Sequence, residues 1–119
     1  MEEAFSVRTR SFAVFRDPNG SLFWSDYDGQ KVRAAFPSQD GNRCIVLLDP
    51  DATRKPRFEN LFAVDRDGNV VWKANLPETH DAFLDAQLDS EGLSVWSWSC
   101  YRLLLDPSDG RTISQVFTK

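Results

Sequence analysis

Short apolar runs alternate with polar punctuation along the whole chain. The runs are Ser11–Phe15, Leu22–Asp26, Val32–Phe36, Cys44–Leu48, Leu61–Val64, Val70–Lys73, Phe83–Leu88, Leu93–Trp98, Tyr101–Leu105 and Thr112–Phe117. Each has strand length and several alternate apolar with polar positions, so the pattern predicts strands. The punctuation is Asp17-Pro18-Asn19-Gly20, Asp26-Tyr27-Asp28-Gly29, Gln39-Asp40-Gly41-Asn42, Asp65-Arg66-Asp67-Gly68-Asn69, Asp89-Ser90-Glu91-Gly92 and Asp106-Pro107-Ser108-Asp109-Gly110. Glycine supplies the positive φ of a tight turn, and Asp or Asn bonds its own backbone to hold it. One stretch, Pro77–Leu88, also reads as a capped amphipathic helix. There Phe83, Asp85 and Gln87 alternate with Leu84, Ala86 and Leu88, which favours a strand with at most one helical turn over Glu78–Asp81.

Aligning the turns uncovers a repeat. Phe12-Ala13-Val14 leads through Arg16-Asp17 to Gly20 and then Trp24; Phe62-Ala63-Val64 leads through Arg66-Asp67 to Gly68 and then Trp72. A weaker third copy runs from Leu103 through Gly110 to Ser114, where the tryptophan is missing. Gly20 and Gly68 are 48 residues apart, and Gly68 and Gly110 are 42 apart. A period of that size with about four short strands per unit is the mark of propeller blades.

The motif resembles the β-propeller repeats of the pyrroloquinoline-quinone-like family, whose unit reads Ala-x-Asp-x-x-x-Gly-x-x-x-Trp. Ala63, Asp65, Gly68 and Trp72 match it with one residue fewer before the glycine; Ala13, Gly20 and Trp24 match with adjustments. The resemblance implies that Trp24 and Trp72 anchor one blade on the next. The family's enzymes hold a quinone and calcium beneath a pair of adjacent cysteines. Cys44 and Cys100 are not adjacent and the chain has at most two whole blades, so no cofactor is implied. As a whole the chain is similar to small bacterial proteins, a likeness that carries no activity.

The expected architecture is all-β: two antiparallel, propeller-like four-stranded sheets packed face to face, with a leading N-terminal hairpin or three-stranded piece. Residues 1–29 form the leading strands, 30–76 the first blade-like unit and 77–119 the second. Two blades cannot close a ring, because propellers need about four to eight. The units are therefore expected to pack as an open sandwich or to be completed by other copies.

Composition agrees with one folded domain. The chain has 119 residues, 41% hydrophobic, 27% charged and 13% aromatic, enough to build a core without staples. Its net charge is −4, which disfavours a nucleic-acid partner. The basic cluster Arg54-Lys55-Pro56-Arg57 is expected to be a solvated loop. The acidic start Met1-Glu2-Glu3-Ala4-Phe5 lacks an apolar signal segment and no window is long and apolar enough to span a membrane, so a cytoplasmic protein is expected. Cys44 and Cys100 lie in apolar stretches and are expected to be two buried thiols.

Candidate chemistry is sparse. His80 is the only histidine and is expected in a polar connection between the units. One His and two distant Cys are too few for a zinc site. Asp65-Arg66-Asp67-Gly68-Asn69 resembles the start of a calcium loop, with Asp49 and Asp51 on a neighbouring loop as further oxygen donors. The closing twelfth position is Leu76, not Glu, and the hairpin turn accounts for the residues without a metal. The acidic pairs lie in turns, and no phosphate loop, nucleophile elbow or dinucleotide fingerprint occurs. A catalytic role is not expected.

The most unusual segment is Leu93-Ser94-Val95-Trp96-Ser97-Trp98-Ser99-Cys100-Tyr101. Strand alternation predicts Trp96, Trp98 and Cys100 on one face. That face either fills the space between sheets, the favoured expectation, or forms a contact surface on a last blade with no successor. The expected function is a non-catalytic protein-interaction module, of immunity or assembly type, that meets a partner or another copy of itself. The alternative is a small-ligand or sugar-binding module using Trp and Asp loops.

Overall fold

Cys44–Leu48 and Leu61–Val64 are apolar at every position, so both alternating faces of these strands need cover. In the computed structural model, which describes residues 1–118, they have it. They form the middle of a sheet sandwiched between two others.

The N-terminal sheet is a meander of β1 (Glu2–Ser6), β2 (Ala13–Arg16) and β3 (Leu22–Trp24). The central sheet is a four-stranded meander of β4 (Val32–Pro37), β5 (Arg43–Leu48), β7 (Leu61–Asp65) and β8 (Val70–Lys73). The short β6 (Arg57–Phe58) lies between β5 and β7 in sequence but leaves the sheet. It pairs in parallel with β9 (Asp81–Asp89), which opens the C-terminal meander of β10 (Gly92–Ser97), β11 (Tyr101–Leu105) and β12 (Thr112–Phe117). The C-terminal sheet thus has the order β12-β11-β10-β9-β6.

Two cores result. Val46, Phe62 and Val64 of the central sheet meet Phe5, Phe12, Val14 and Tyr27 on the N-terminal side. A run of rings crosses this interface, with centroids 5.3 Å apart for Phe12–Tyr27 and 5.2 Å for Tyr27–Phe62. On the opposite face Leu47, Leu61 and Trp72 meet Phe83, Leu93, Val95 and Leu103. The expected pair of four-stranded antiparallel sheets facing each other is present, the C-terminal one extended by β6, and all six glycines have positive φ.

Of the two forms expected for the leading piece, it takes the three-stranded one: Phe5 of β1 is fully buried while Glu2 and Glu3 face water. Several details differ from the sequence reading. The segment Pro77–His80 bends without a helical turn, and among the described residues the only helical piece is a 3₁₀ turn, Pro50–Ala52, capped by Asp49. Arg54 and Lys55 are exposed as expected, but Arg57 belongs to β6. Its guanidinium donates to the carbonyls of Glu78 (3.0 Å) and Thr79 (3.3 Å). Cys44 is buried as expected, whereas Cys100 is exposed. The reason is that β10 ends at Ser97 and Cys100 falls in the turn beyond it.

Candidate functional site

The two repeat tryptophans occupy sheet junctions. Trp24, at the end of β3, donates its indole N–H to the carbonyl of Val32 in β4 at 2.9 Å. Trp72 in β8 donates to the carbonyl of Pro107, in the β11–β12 turn, at 3.1 Å. Ala63 is buried in β7 beside Trp72. Asp65 closes the β7–β8 turn by accepting from the amides of Asp67 and Asn69, each at 2.9 Å. Gly68 sits in that turn at φ +86°, and a Cβ there would stand 2.8 Å from Thr9 Oγ1. Gly20 has the same φ of +86° with nothing within 4 Å.

Trp96 and Trp98 lie elsewhere than between the sheets. Val95 and Ser97 face the core, so Trp96 points outward, half-buried, with the Arg102 guanidinium 5.7 Å above its ring. Trp98 does not share a strand face with it. It stands in the β10–β11 turn and is 67% exposed. The expectation that these indoles fill the inter-sheet space fails because period-2 alternation stops where the strand stops.

The Trp98 turn is rigidly held. The Trp98 amide donates to the carbonyl of Ala82 at 2.9 Å, and the Cys100 amide to that of Ser97 at 3.1 Å. Cys100 adopts φ +71°, a left-handed conformation uncommon outside glycine. Beneath the turn lies Asp81, buried at the start of β9. Its carboxylate accepts from the amides of Ala82 (2.9 Å) and Ser99 (3.0 Å) and from the Ser99 hydroxyl. Ser99 is within hydrogen-bonding distance of Ser97, whose hydroxyl in turn accepts from the Tyr101 amide. Every buried polar side-chain atom of this small network is satisfied, as a buried carboxylate requires.

Beside the turn opens a cleft of about 380 Å³. Trp98, Leu84, Pro50 and Pro56 make its apolar wall, and Asp51, Lys55 and His80 its polar rim. Local structure explains each placement. In the β9–β10 pairing Phe83 opposes Ser97 and Asp85 opposes Trp96, so Leu84 is the extra residue of a bulge and turns outward. The Asp49 cap fixes Asp51, whose amide it accepts at 2.9 Å. Arg57, by gripping Glu78 and Thr79, steadies the connection that carries His80. Sequence alone places His80 in the right kind of segment but does not join it to Trp98, brought alongside by the β9–β10 pairing, or to Asp51 and Lys55, on the connection that leads into the β6–β9 pairing.

The other prominent surface is β12. All six of its residues are exposed, including Ile113, Val116 and Phe117, and it is the outermost strand of its sheet. Among the described residues no group of three or more His, Cys, Asp or Glu is placed to hold a metal ion, and no helix is long and apolar enough to cross a membrane.

Comparison with known families follows the same division of the molecule. The model of the family described as "Domain of unknown function (DUF7957)" matches residues 29–117. The chain belongs to the DUF7957 family. The match takes in the central and C-terminal sheets and leaves β1 to β3 outside it. Among the curated proteins no match is found. The DUF7957 description names neither an activity nor a propeller repeat.

Proposed function

We propose that the protein is a non-catalytic interaction module that assembles through β12, pairing this strand with the same strand of a second copy. The observation that carries the reading is the contrast between β12 and the other sheet edges. β1 carries Glu2 and Glu3, β3 has three residues, and β4 carries Arg33 and ends at Pro37. β6 has two residues and β8 ends in Lys73. Charge, brevity and proline are the usual devices that keep an edge from recruiting another strand. Thr112–Phe117 contains no charged residue and no proline. A bulge at Ile113 interrupts it, but Ser114–Phe117 stays in continuous register with Tyr101–Leu104. Two such strands meeting antiparallel about a two-fold axis would oppose only neutral side chains.

The non-catalytic character is supported by how the acidic residues are used. Asp17, Asp40, Asp65, Asp89, Asp106 and Asp109 each accept a backbone N–H two residues further on. These carboxylates shape turns. Light scattering on the purified protein tests the reading: the expected result is a dimer at micromolar concentration. A Gln115→Lys/Val116→Lys variant is expected to be monomeric with an unchanged far-UV spectrum. A wild type that stays monomeric at high micromolar concentration would overturn the proposal.

A further inference from the structure

We infer that the Trp98 cleft is a binding site for a neutral sugar ring, stacked by its apolar face on the Trp98 indole. This is a separate function from strand pairing at β12 and does not depend on it.

Four observations converge. First, an indole that is 67% exposed stands on a turn whose backbone is pinned. The Trp98 and Cys100 amides donate to the carbonyls of Ala82 and Ser97, the Ser99 amide donates to the buried Asp81 carboxylate, and together these bonds fix the backbone of the turn. An aromatic ring carried on a preset backbone lowers the ordering cost that a ligand would otherwise have to meet. Second, the backbone beside it is already saturated. The start of β9 pairs with β6 on one side (Arg57 with Asp81, Phe58 with Ala82) and with β10 on the other (Phe83 with Ser97). No peptide can add there as a strand, so an occupant has to be read by side chains.

Third, the rim offers an acceptor (Asp51), a donor (Lys55) and an imidazole able to do either (His80). Among the described residues neither Asp51 nor Lys55 is in a salt bridge. Their opposite charges balance, which suits a neutral ligand better than a cation or an anion. A purely aliphatic occupant would desolvate these three groups without satisfying them. Fourth, a volume of about 380 Å³ is near the lower end of small-molecule sites, which run about 300–1,000 Å³. A pyranose meets every condition: one face lined with C–H groups for the indole, and a perimeter of hydroxyls that both donate and accept.

The test is an NMR titration that follows the indole N–H of Trp98, identified by its loss in Trp98→Phe. The probe is cellobiose, whose equatorial hydroxyls leave both ring faces apolar, alongside a glycan array. Mannitol serves as the control, having the hydroxyls without an apolar ring face. The expected result is a saturable shift with cellobiose or an array glycan and none with mannitol. Trp98→Ala should abolish binding, Trp98→Phe should retain some of it, and Asp51→Asn should weaken it several-fold. Trp98 is exposed, so these variants should keep the wild-type melting temperature. Three results would overturn the inference: no glycan binds, mannitol reproduces the shift, or binding survives in Trp98→Ala.

Discussion

The ring of Trp72 lies so close to Gly110 that a Cβ on the glycine would stand 2.3 Å from the indole Cε3 atom. Gly110 also has φ +75°, so two separate penalties attach to any side chain there. Gly20 isolates one of them, since it has φ +86° and open space around it. Gly20→Ala is expected to cost about 1 kcal/mol from backbone strain alone. Gly110→Ala is expected to cost more than about 3 kcal/mol, because the indole has to move as well. Urea unfolding of the two variants measures the difference. Equal costs would mean that the ring yields freely.

Acidification should weaken the fold through its turns. Asp65 is held below the usual carboxylate range by the Asn69 amide first, Asp106 by the Ser108 hydroxyl and amide, and Asp40 by the Ser38 hydroxyl and the Asn42 amide. Each pKa is lower folded than unfolded, so the unfolded chain binds more protons as pH falls. The stability these groups contribute is present above the ordinary carboxylate range and is lost as pH drops through their depressed values. A triple Asp40→Asn, Asp65→Asn, Asp106→Asn protein should show a flatter dependence of Tm on pH below about 4.5. Superimposable wild-type and triple-variant curves would contradict this.

The two thiols should behave differently. Burial pushes the Cys44 thiol up to about 12, and the thiolate is the reactive form. A thiol reagent is therefore expected to label one cysteine per native chain, Cys100, and both after denaturation. Cys100→Gly should also raise stability by about 0.5 kcal/mol, because glycine adopts φ +71° without strain. A lower melting temperature for that variant would show that the Cys100 side chain packs usefully.

Much of this fold is legible in the pattern of apolar runs. Cys44–Leu48 and Leu61–Val64 announce a doubly covered sheet because no polar residue interrupts them, and the Asp-Gly turns mark most hairpins. Two strands escape that logic. In β1 only Phe5 is buried, too little for a period to register. β6 is two residues at the end of a basic cluster and gains its partner, β9, from a distant stretch of the chain. The cleft is hidden for a related reason, since the parallel pairing brings the Pro50–Pro56 connection alongside β9, where the Trp98 turn also lies. Trp98 misleads because alternation is a property of strands, and its strand ends one residue earlier.

Asn60 left no signal either, yet it is fully buried and its side chain fastens two sheets together. Its amide nitrogen donates to the carbonyls of Leu48 (2.9 Å) and Phe83 (2.7 Å), and its oxygen accepts from the Phe83 amide at 2.9 Å. Asn60→Leu removes all three bonds and strands buried backbone groups, at about 1–3 kcal/mol each. A loss of more than about 3 kcal/mol in urea unfolding is expected. A loss under about 1 kcal/mol would mean that water replaces the side chain.

The same clasp bears on how the molecule opens. Stacked sheets that touch only through apolar side chains can separate singly, in the manner of repeat arrays. Here an amide of β9 is protected by a side chain that leads into β7. Hydrogen exchange at Phe83 therefore times the separation of the central and C-terminal sheets. If that amide exchanges as slowly as the slowest amides of β5, the two sheets come apart only when the whole chain unfolds.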